Sequence, residues 1–356
     1  MREPWLASAE RAELVYVNDG EVGIKRRRAG KGFSYVRYGG EKVYNKEDLA
    51  RIRALAIPPA WTDVWICADA SGHIQATGRD QRGRKQYRYH AAWTACRDEA
   101  KFSSLAAFAH ALPSLRDRVE ADLSLRGLPR EKVIASVIWL LDKTMIRIGN
   151  DAYRRENKSF GLTTLHDRHV QVEGSNLRFS FRGKSGQEWK LKLQDRRIAR
   201  IVRAVQDVPG QHLFQYLDED GARREIRSQN VNAYIREAIG DEFTAKHFRT
   251  WGASVMAGGE FAEVPLPDTK RAQAVELNAL IDKVAARIRN TRAVCRRCYI
   301  HPLIIDGWLE GRLQQEIGDI RRRARKPLKG LDDEESLFLR WLDRQMVQTP
   351  RELVDA

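Results

Sequence analysis

Long apolar runs are missing from this chain of 356 residues. A membrane-spanning helix needs about 18 or more in succession, so none is expected. The N-terminal stretch MREPWLASAERAEL carries charges where a secretory leader would keep an apolar centre, so it is not expected to be a signal peptide. Cysteine is scarce. Cys67, Cys96, Cys295 and Cys298 are too few for a disulfide framework, and they point to a reducing, cytoplasmic compartment. Cys295-x-x-Cys298 stands as a single pair, whereas a structural zinc site takes four ligands; no metal is expected. No carboxylate cluster of the kind a metal-dependent nuclease requires stands out, and Asp218-Glu219-Asp220 reads as a polar turn. Internal repeats and long low-complexity segments are also absent.

Negative charge is in deficit as well. The chain holds 63 Lys and Arg against 48 Asp and Glu, a net +15. Such a balance favours a polyanionic partner, above all nucleic acid. Residues 1–92 hold 17 basic and 11 acidic side chains, a net +6 in about a quarter of the length.

Patterning divides the chain near residue 92. Before it, short β-branched and aromatic runs at 14–17, 33–38, 63–68 and 73–78 predict strands, with a helix over 46–56 that the Pro58-Pro59 pair ends. The basic run Lys25 to Lys31 reads as a loop that either clamps phosphate non-specifically or is simply a solvated surface run. After residue 92 the period lengthens, predicting helices over 93–111, 114–127 and 130–147. In the last of these, Ile134, Val137, Ile138, Leu141 and Met145 form one apolar stripe. Strands are expected at 161–165, 169–172, 177–181 and 188–193. Helices are expected at 195–206, 229–239, 244–257, 269–289, 303–317 and 333–346. The expected class is α+β: a small strand-rich domain (1–92), then a larger, mainly helical domain with a small sheet (93–356).

Without a metal, phosphodiester chemistry needs fixed cations on the non-bridging oxygens, a nucleophile and an acid for the departing oxygen. Arginine suits the first role, because its planar fork stays charged. Arg147 ends an apolar helix, Arg249 lies among aromatics on a predicted helix, Lys184 sits at a hairpin tip, and Asn290 carries an amide. Tyr299, nine residues beyond, has a phenol with an ordinary pKa of about 10; it is both a usable nucleophile and a competent later leaving group.

These residues occur in the order Arg-Lys-Arg-Asn-Tyr, within Ile146-Arg147-Ile148-Gly149-Asn150, Gly161-Leu162-Thr163-Thr164-Leu165, Gly183-Lys184, Arg249-Thr250-Trp251-Gly252, Asn290-Thr291 and Tyr299-Ile300-His301-Pro302. The set resembles the pentad of type IB DNA topoisomerases, most closely the short bacterial and poxvirus-like branch. The resemblance continues through Ala56-Ile57-Pro58-Pro59-Ala60-Trp61 and Gly83-Arg84-Lys85-Gln86-Tyr87-Arg88-Tyr89-His90, so it covers roughly residues 13 to 310. It implies that the 1–92 domain is DNA-binding and the 93–356 domain catalytic. It also implies that Arg147 and Arg249 hold the non-bridging oxygens and that Lys184, with Arg147, protonates the 5′ oxygen. Asn290 would donate a hydrogen bond where many relatives carry histidine. Tyr299 would form a 3′-phosphotyrosyl link, the nicked strand would swivel, and the 5′ hydroxyl would reseal it, with no ATP, metal or other cofactor. It further implies that Lys85, Gln86, Tyr87 and Tyr89 contact double-stranded DNA, with Tyr153 and Lys246 as additional contacts. The expected form is a monomer clamping the duplex in the cytoplasm, on the nucleoid.

Three positions depart from the family pattern: Arg289 replaces the glycine before the asparagine, Arg292 replaces a proline, and Ser185 stands where some relatives are acidic. The nearest rival is a tyrosine recombinase. That family usually carries histidine three residues before the second arginine, where this chain has Lys246, and its N-terminal module is helical. An inactive DNA-binding protein is the other rival, though it would tolerate loss of the pentad.

Overall fold

The computed structural model describes residues 9–348 except 11 and 325, without the side chains of 98–100, 152, 153, 156 and 348. The chain divides into two compact units between Ser103 and Ser104. Its class is α+β, with antiparallel sheets and a mainly helical second unit.

The first unit is built on a five-stranded antiparallel sheet. Its strands are β1 (Gly23–Ala29), β2 (Gly32–Val36), β3 (Thr62–Cys67), β4 (Ile74–Arg79) and β5 (Lys85–Tyr89), in the order β2-β1-β3-β4-β5. Helix α1 (Lys46–Ala54) starts at Asn45, whose side chain accepts from the Glu47 N–H at 2.9 Å. Its Ile52 packs with Ile24, Val64, Ile66 and Ala76 in the core of the unit.

Two expectations fail here. The run 25–31 is for the most part strand, because β1 pairs with both β2 and β3. Arg26 is committed to the fold, donating to the carbonyls of Pro58 and Trp61 at 3.1 and 2.6 Å. The expected strand at 14–17 is reduced to a bridge between Val15 and Gly72.

The second unit is helical around a small sheet. Helix α2 (Ala91–Leu123), whose first residues belong to the first unit, merges the two helices expected there, running through Pro113. The proline removes one backbone donor, but Leu112, Leu115, Val119 and Leu123 are all buried and hold the helix on both sides. Then come α3 (Arg130–Thr144), α4 (Asp151–Asn157) and the antiparallel meander β6 (Val170–Glu173), β7 (Asn176–Arg182), β8 (Glu188–Gln194). Next is α5 (Arg196–Gln206), and then a hairpin of β9 (Gln215–Leu217) and β10 (Arg223–Glu225). Asp218 caps the intervening turn by accepting from the Ala222 N–H at 2.7 Å.

Seven helices complete the unit: α6 (Ser228–Ile239), α7 (Ala245–Ala262), α8 (Lys270–Arg287), α9 (Arg292–Cys298), α10 (Pro302–Leu309), α11 (Leu313–Arg323) and α12 (Asp333–Gln348). The single helix expected over 303–317 is interrupted at Gly311, whose φ of +75° a helix cannot accommodate. The strand expected over 161–165 is instead a short 3-10 turn, Leu162–Thr164.

Candidate active site

Helix α3 stops three residues before Arg147, not at it. Met145 turns into the left-handed region at φ 55°, and the chain leaves the helix extended. The segment then pairs with the 3-10 turn. Leu162 donates to the Arg147 carbonyl at 2.9 Å and Thr163 to the Ile148 carbonyl at 2.8 Å. Two glycines permit this approach. Gly149 adopts φ +102°, and a Cβ on Gly161 would lie 2.5 Å from the Arg147 carbonyl oxygen. The two motifs IRIGN and GLTTL are therefore a single device that aims Arg147.

Helix α7 carries Arg249 on a buried face, with the side chain 3 % exposed. One guanidinium nitrogen, Nη1, donates to the Met145 carbonyl, and Nη2 donates to the Ile288 carbonyl at 2.8 Å. Arg249 thus ties the end of α3 to the end of α8. Its Cζ lies 5.0 Å from the centre of the Tyr299 ring.

Helix α8 ends in a Schellman motif. Asn290 N–H bonds to the Ala285 carbonyl at 2.9 Å and Arg289 N–H to the Ala286 carbonyl at 3.3 Å. Arg289 takes the left-handed position at φ 49°, the conformation that suits the glycine it replaces. Arg292, the other charged departure, is ion-paired with Asp282 of α8, with its Nε 2.8 Å from one carboxylate oxygen. Thr291 caps α9, and Tyr299 follows directly after that helix.

These elements bring the side chains together. Arg147 Nη2 donates to Asn290 Oδ1 at 2.8 Å. A cavity of about 590 Å³ is lined by Arg147, Lys184, Lys246, Arg249, Tyr299 and Phe160, among others. Lys184 is exposed, on the turn between β7 and β8, where Ser185 adopts φ 61°. Three buried donors here make no hydrogen bond of normal geometry: Arg147 Nη1, Arg249 Nε and Asn290 Nδ2.

Burial alone would push the Tyr299 phenol up. The Arg249 and Arg147 charges oppose it, with hydrogen-bonding proximity of Arg249 and Asn290, and hold the phenol below its ordinary value. Burial, then the neighbouring Arg147 charge, lower Arg249 to about 10, so it stays cationic at neutral pH. The Cys295 thiol, fully buried, is pushed up to about 12 by desolvation, which favours its neutral form. Among the described residues no group of His, Cys, Asp or Glu could hold a metal ion.

Ser254 was missed in the sequence. This buried residue of α7 donates from Oγ to the Tyr299 carbonyl at 3.0 Å and accepts from the His301 N–H at 3.0 Å, fixing the backbone on which the phenol is mounted. Its only sequence signal is its place five residues after Arg249.

In the first unit, β5 exposes Lys85, Tyr87 and Tyr89 on one face. The two tyrosine rings stack, 5.8 Å apart and 7° from parallel. Lys85 pairs with Asp19 at 2.5 Å, and Gln86, half-buried, donates to Asp80 at 3.0 Å. The Tyr153 side chain lies outside the described residues.

Residues 90–305 match the family described as eukaryotic DNA topoisomerase I, catalytic core, and residues 32–80 match the bacterial DNA topoisomerase IB N-terminal domain. The chain is 32% identical over 289 residues to the DNA topoisomerase 1B of Acanthamoeba polyphaga mimivirus, covering 78% of this chain and 85% of that one. The chain belongs to the type IB DNA topoisomerases. The vaccinia virus DNA topoisomerase 1B is 22% identical over 265 residues, covering 72% of this enzyme and 80% of its own length. The DNA topoisomerase 1 of Mycosarcoma maydis is 24% identical over 253 residues, which is 64% of this enzyme but 24% of the larger fungal protein. These matches favour a topoisomerase over a recombinase. The enzyme is a type IB isomerase acting on DNA, and no described helix is long and apolar enough to cross a membrane.

Proposed function

We propose that Arg147, Lys184, Arg249, Asn290 and Tyr299 are the catalytic pentad of this topoisomerase. The carrying observation is the set of three buried donors that make no hydrogen bond of normal geometry, Arg147 Nη1, Arg249 Nε and Asn290 Nδ2, beside one phenol of lowered pKa. Buried donors without acceptors are uncommon, because each forfeits its bonds to water. A phosphodiester brings two non-bridging oxygens that such donors would engage.

The Tyr299 phenolate, its proton lost to solvent under the favourable Arg249 and Arg147 charges, attacks phosphorus and displaces the 5′ oxygen, which takes a proton delivered by Lys184 together with Arg147. The two arginines and Asn290 stabilise the charge on the pentacoordinate phosphorane. The uncatalysed barrier is high enough that on the order of 20 kcal/mol must be supplied. The product is a 3′-phosphotyrosyl link, a phosphodiester in its own right. The bond energy is therefore conserved, and the free 5′ hydroxyl reverses the step after the strand has rotated. Positive and negative supercoils relax without ATP or metal.

Lys85, Gln86, Tyr87 and Tyr89 on β5 supply the duplex contacts of the strand-rich part (1–92), and Lys246 and Tyr153 those of the catalytic part (93–356). The exposed stacked tyrosines and the net +15 charge support that assignment. The enzyme acts as a monomer closing round the duplex, in the cytoplasm on nucleoid DNA. The test is a suicide oligonucleotide incubated in EDTA without ATP. Wild type forms a covalent adduct that maps to the 3′ end of the cut strand, and Tyr299→Phe binds the duplex but forms none. A 5′ link, or relaxation by Tyr299→Phe at the wild-type rate, would overturn the assignment.

A further inference from the structure

Behind α7, on the side away from the phenol, lies a saturated ionic cluster. Arg116 of α2 uses all five of its N–H groups. Nε and Nη2 bond to Asp142 of α3, both at 2.9 Å, and Nη1 and Nη2 bond to Glu335 of α12 at 2.7 and 2.8 Å. The remaining Nη1 proton goes to the Gly330 carbonyl at 2.8 Å. Glu335 is 7 % exposed and equally saturated. Its Oε1 also accepts from Trp251 Nε1 at 3.0 Å and its Oε2 from the Asp332 N–H at 3.0 Å. Asp332 accepts in return from the Glu335 N–H at 2.8 Å, a capping box that starts α12.

The elements so joined are those that hold the site. Asp142 lies three residues before Met145, whose carbonyl takes Arg249. Trp251 lies two residues after Arg249, which on a helix sets it on the opposite face. Its ring packs against Phe338 of α12 at 5.5 Å, and a Cβ on Gly258 would come within 2.9 Å of Phe338. Helix α12 itself lies beyond the stretch that matches the family core.

We propose that Glu335, through Arg116 and Trp251, is a positioning residue for the cleavage reaction: it sets the spacing of the α3 end and α7, and so the placement of Arg249 against Arg147 and Tyr299. The inference rests on the pentad assigned above. Misplacing catalytic groups by about 1 Å costs about 100-fold in rate, so the effect belongs to the chemical step and not to duplex affinity.

Glu335→Gln keeps the shape and an acceptor for Trp251, and it leaves Arg116 paired with Asp142. Trp251→Phe keeps the ring packing and removes only the donor. Each is assayed by single-turnover cleavage across pH, by duplex binding on a Tyr299→Phe background, and by thermal melting. Cleavage slowed about tenfold to 100-fold, duplex affinity unchanged, and the basic limb of the pH profile moved upward are expected, because Arg249 then favours the phenolate less. Cleavage at the wild-type rate with an unmoved limb, in either variant that melts above the assay temperature, overturns the inference. Should Glu335→Gln not fold, Trp251→Phe decides. Failure of wild type to form the 3′ adduct would instead overturn the pentad itself.

Discussion

Arg147 and Asn290, 143 residues apart in sequence, are joined by a hydrogen bond of 2.8 Å from the guanidinium to the amide oxygen. The bond orients the amide. With Oδ1 committed to Arg147, Nδ2 is left as a donor near the phenol. Under the proposed pentad, Asn290 serves as a hydrogen-bond donor and transfers no proton.

Asn290→Asp should therefore fail although the carboxylate still accepts from Arg147. It cannot donate, and it sets a negative charge beside both phosphate and phenol. Single-turnover cleavage is expected to fall about 10²–10³-fold, the usual cost of one lost donor to a developing oxyanion. Asn290→His, which restores a donor, should retain most of the rate. Equal rates for Asn290→Asp and wild type would remove Asn290 from the machinery.

The pH dependence of cleavage follows from the lowered phenol. If the reactive species is the phenolate, the rate should climb with pH and level off below the ordinary phenol value of about 10. In Arg249→Gln the charge that opposes burial is gone, so the limb should move upward as the maximal rate falls by about 10²–10³-fold. A limb that stays put in Arg249→Gln, measured by rapid quench over the alkaline range, would show that Arg249 does not govern Tyr299 ionisation.

Arg289 sits at φ 49°, where a side chain costs up to about 1–2 kcal/mol relative to glycine. Arg289→Gly should leave the melting temperature unchanged or raise it, and Arg289→Val should lower it. If Arg289→Gly melts clearly lower, the arginine side chain makes a stabilising contact that outweighs its backbone strain. Cleavage rates of the two variants then show whether the turn that carries Asn290 transmits strain to the site.

The chain's chemistry was legible in its residues. An excess of basic side chains, a tyrosine beyond an arginine-rich turn, and motifs in a fixed order pointed to a DNA topoisomerase. The apolar stripe of Ile134, Val137, Ile138 and Leu141 marked α3, because periodicity is a local property. Local signals failed where a distant partner decided the outcome. Strand β1 was hidden because its arginines read as a solvated loop, until carbonyls more than 30 residues away took up Arg26. The 161–165 segment has strand-like composition, yet it turns because the Arg147 carbonyl occupies one of its donors. Sequence alone determined which groups were available and in what order they follow along the chain. Only the tertiary structure decided that Arg147, Arg249 and Tyr299 share one cavity wall, with Asn290 bonded to Arg147. That convergence depends on helix ends held by side chains from far along the chain, such as Met145 by Arg249, and no local pattern encodes where such partners meet.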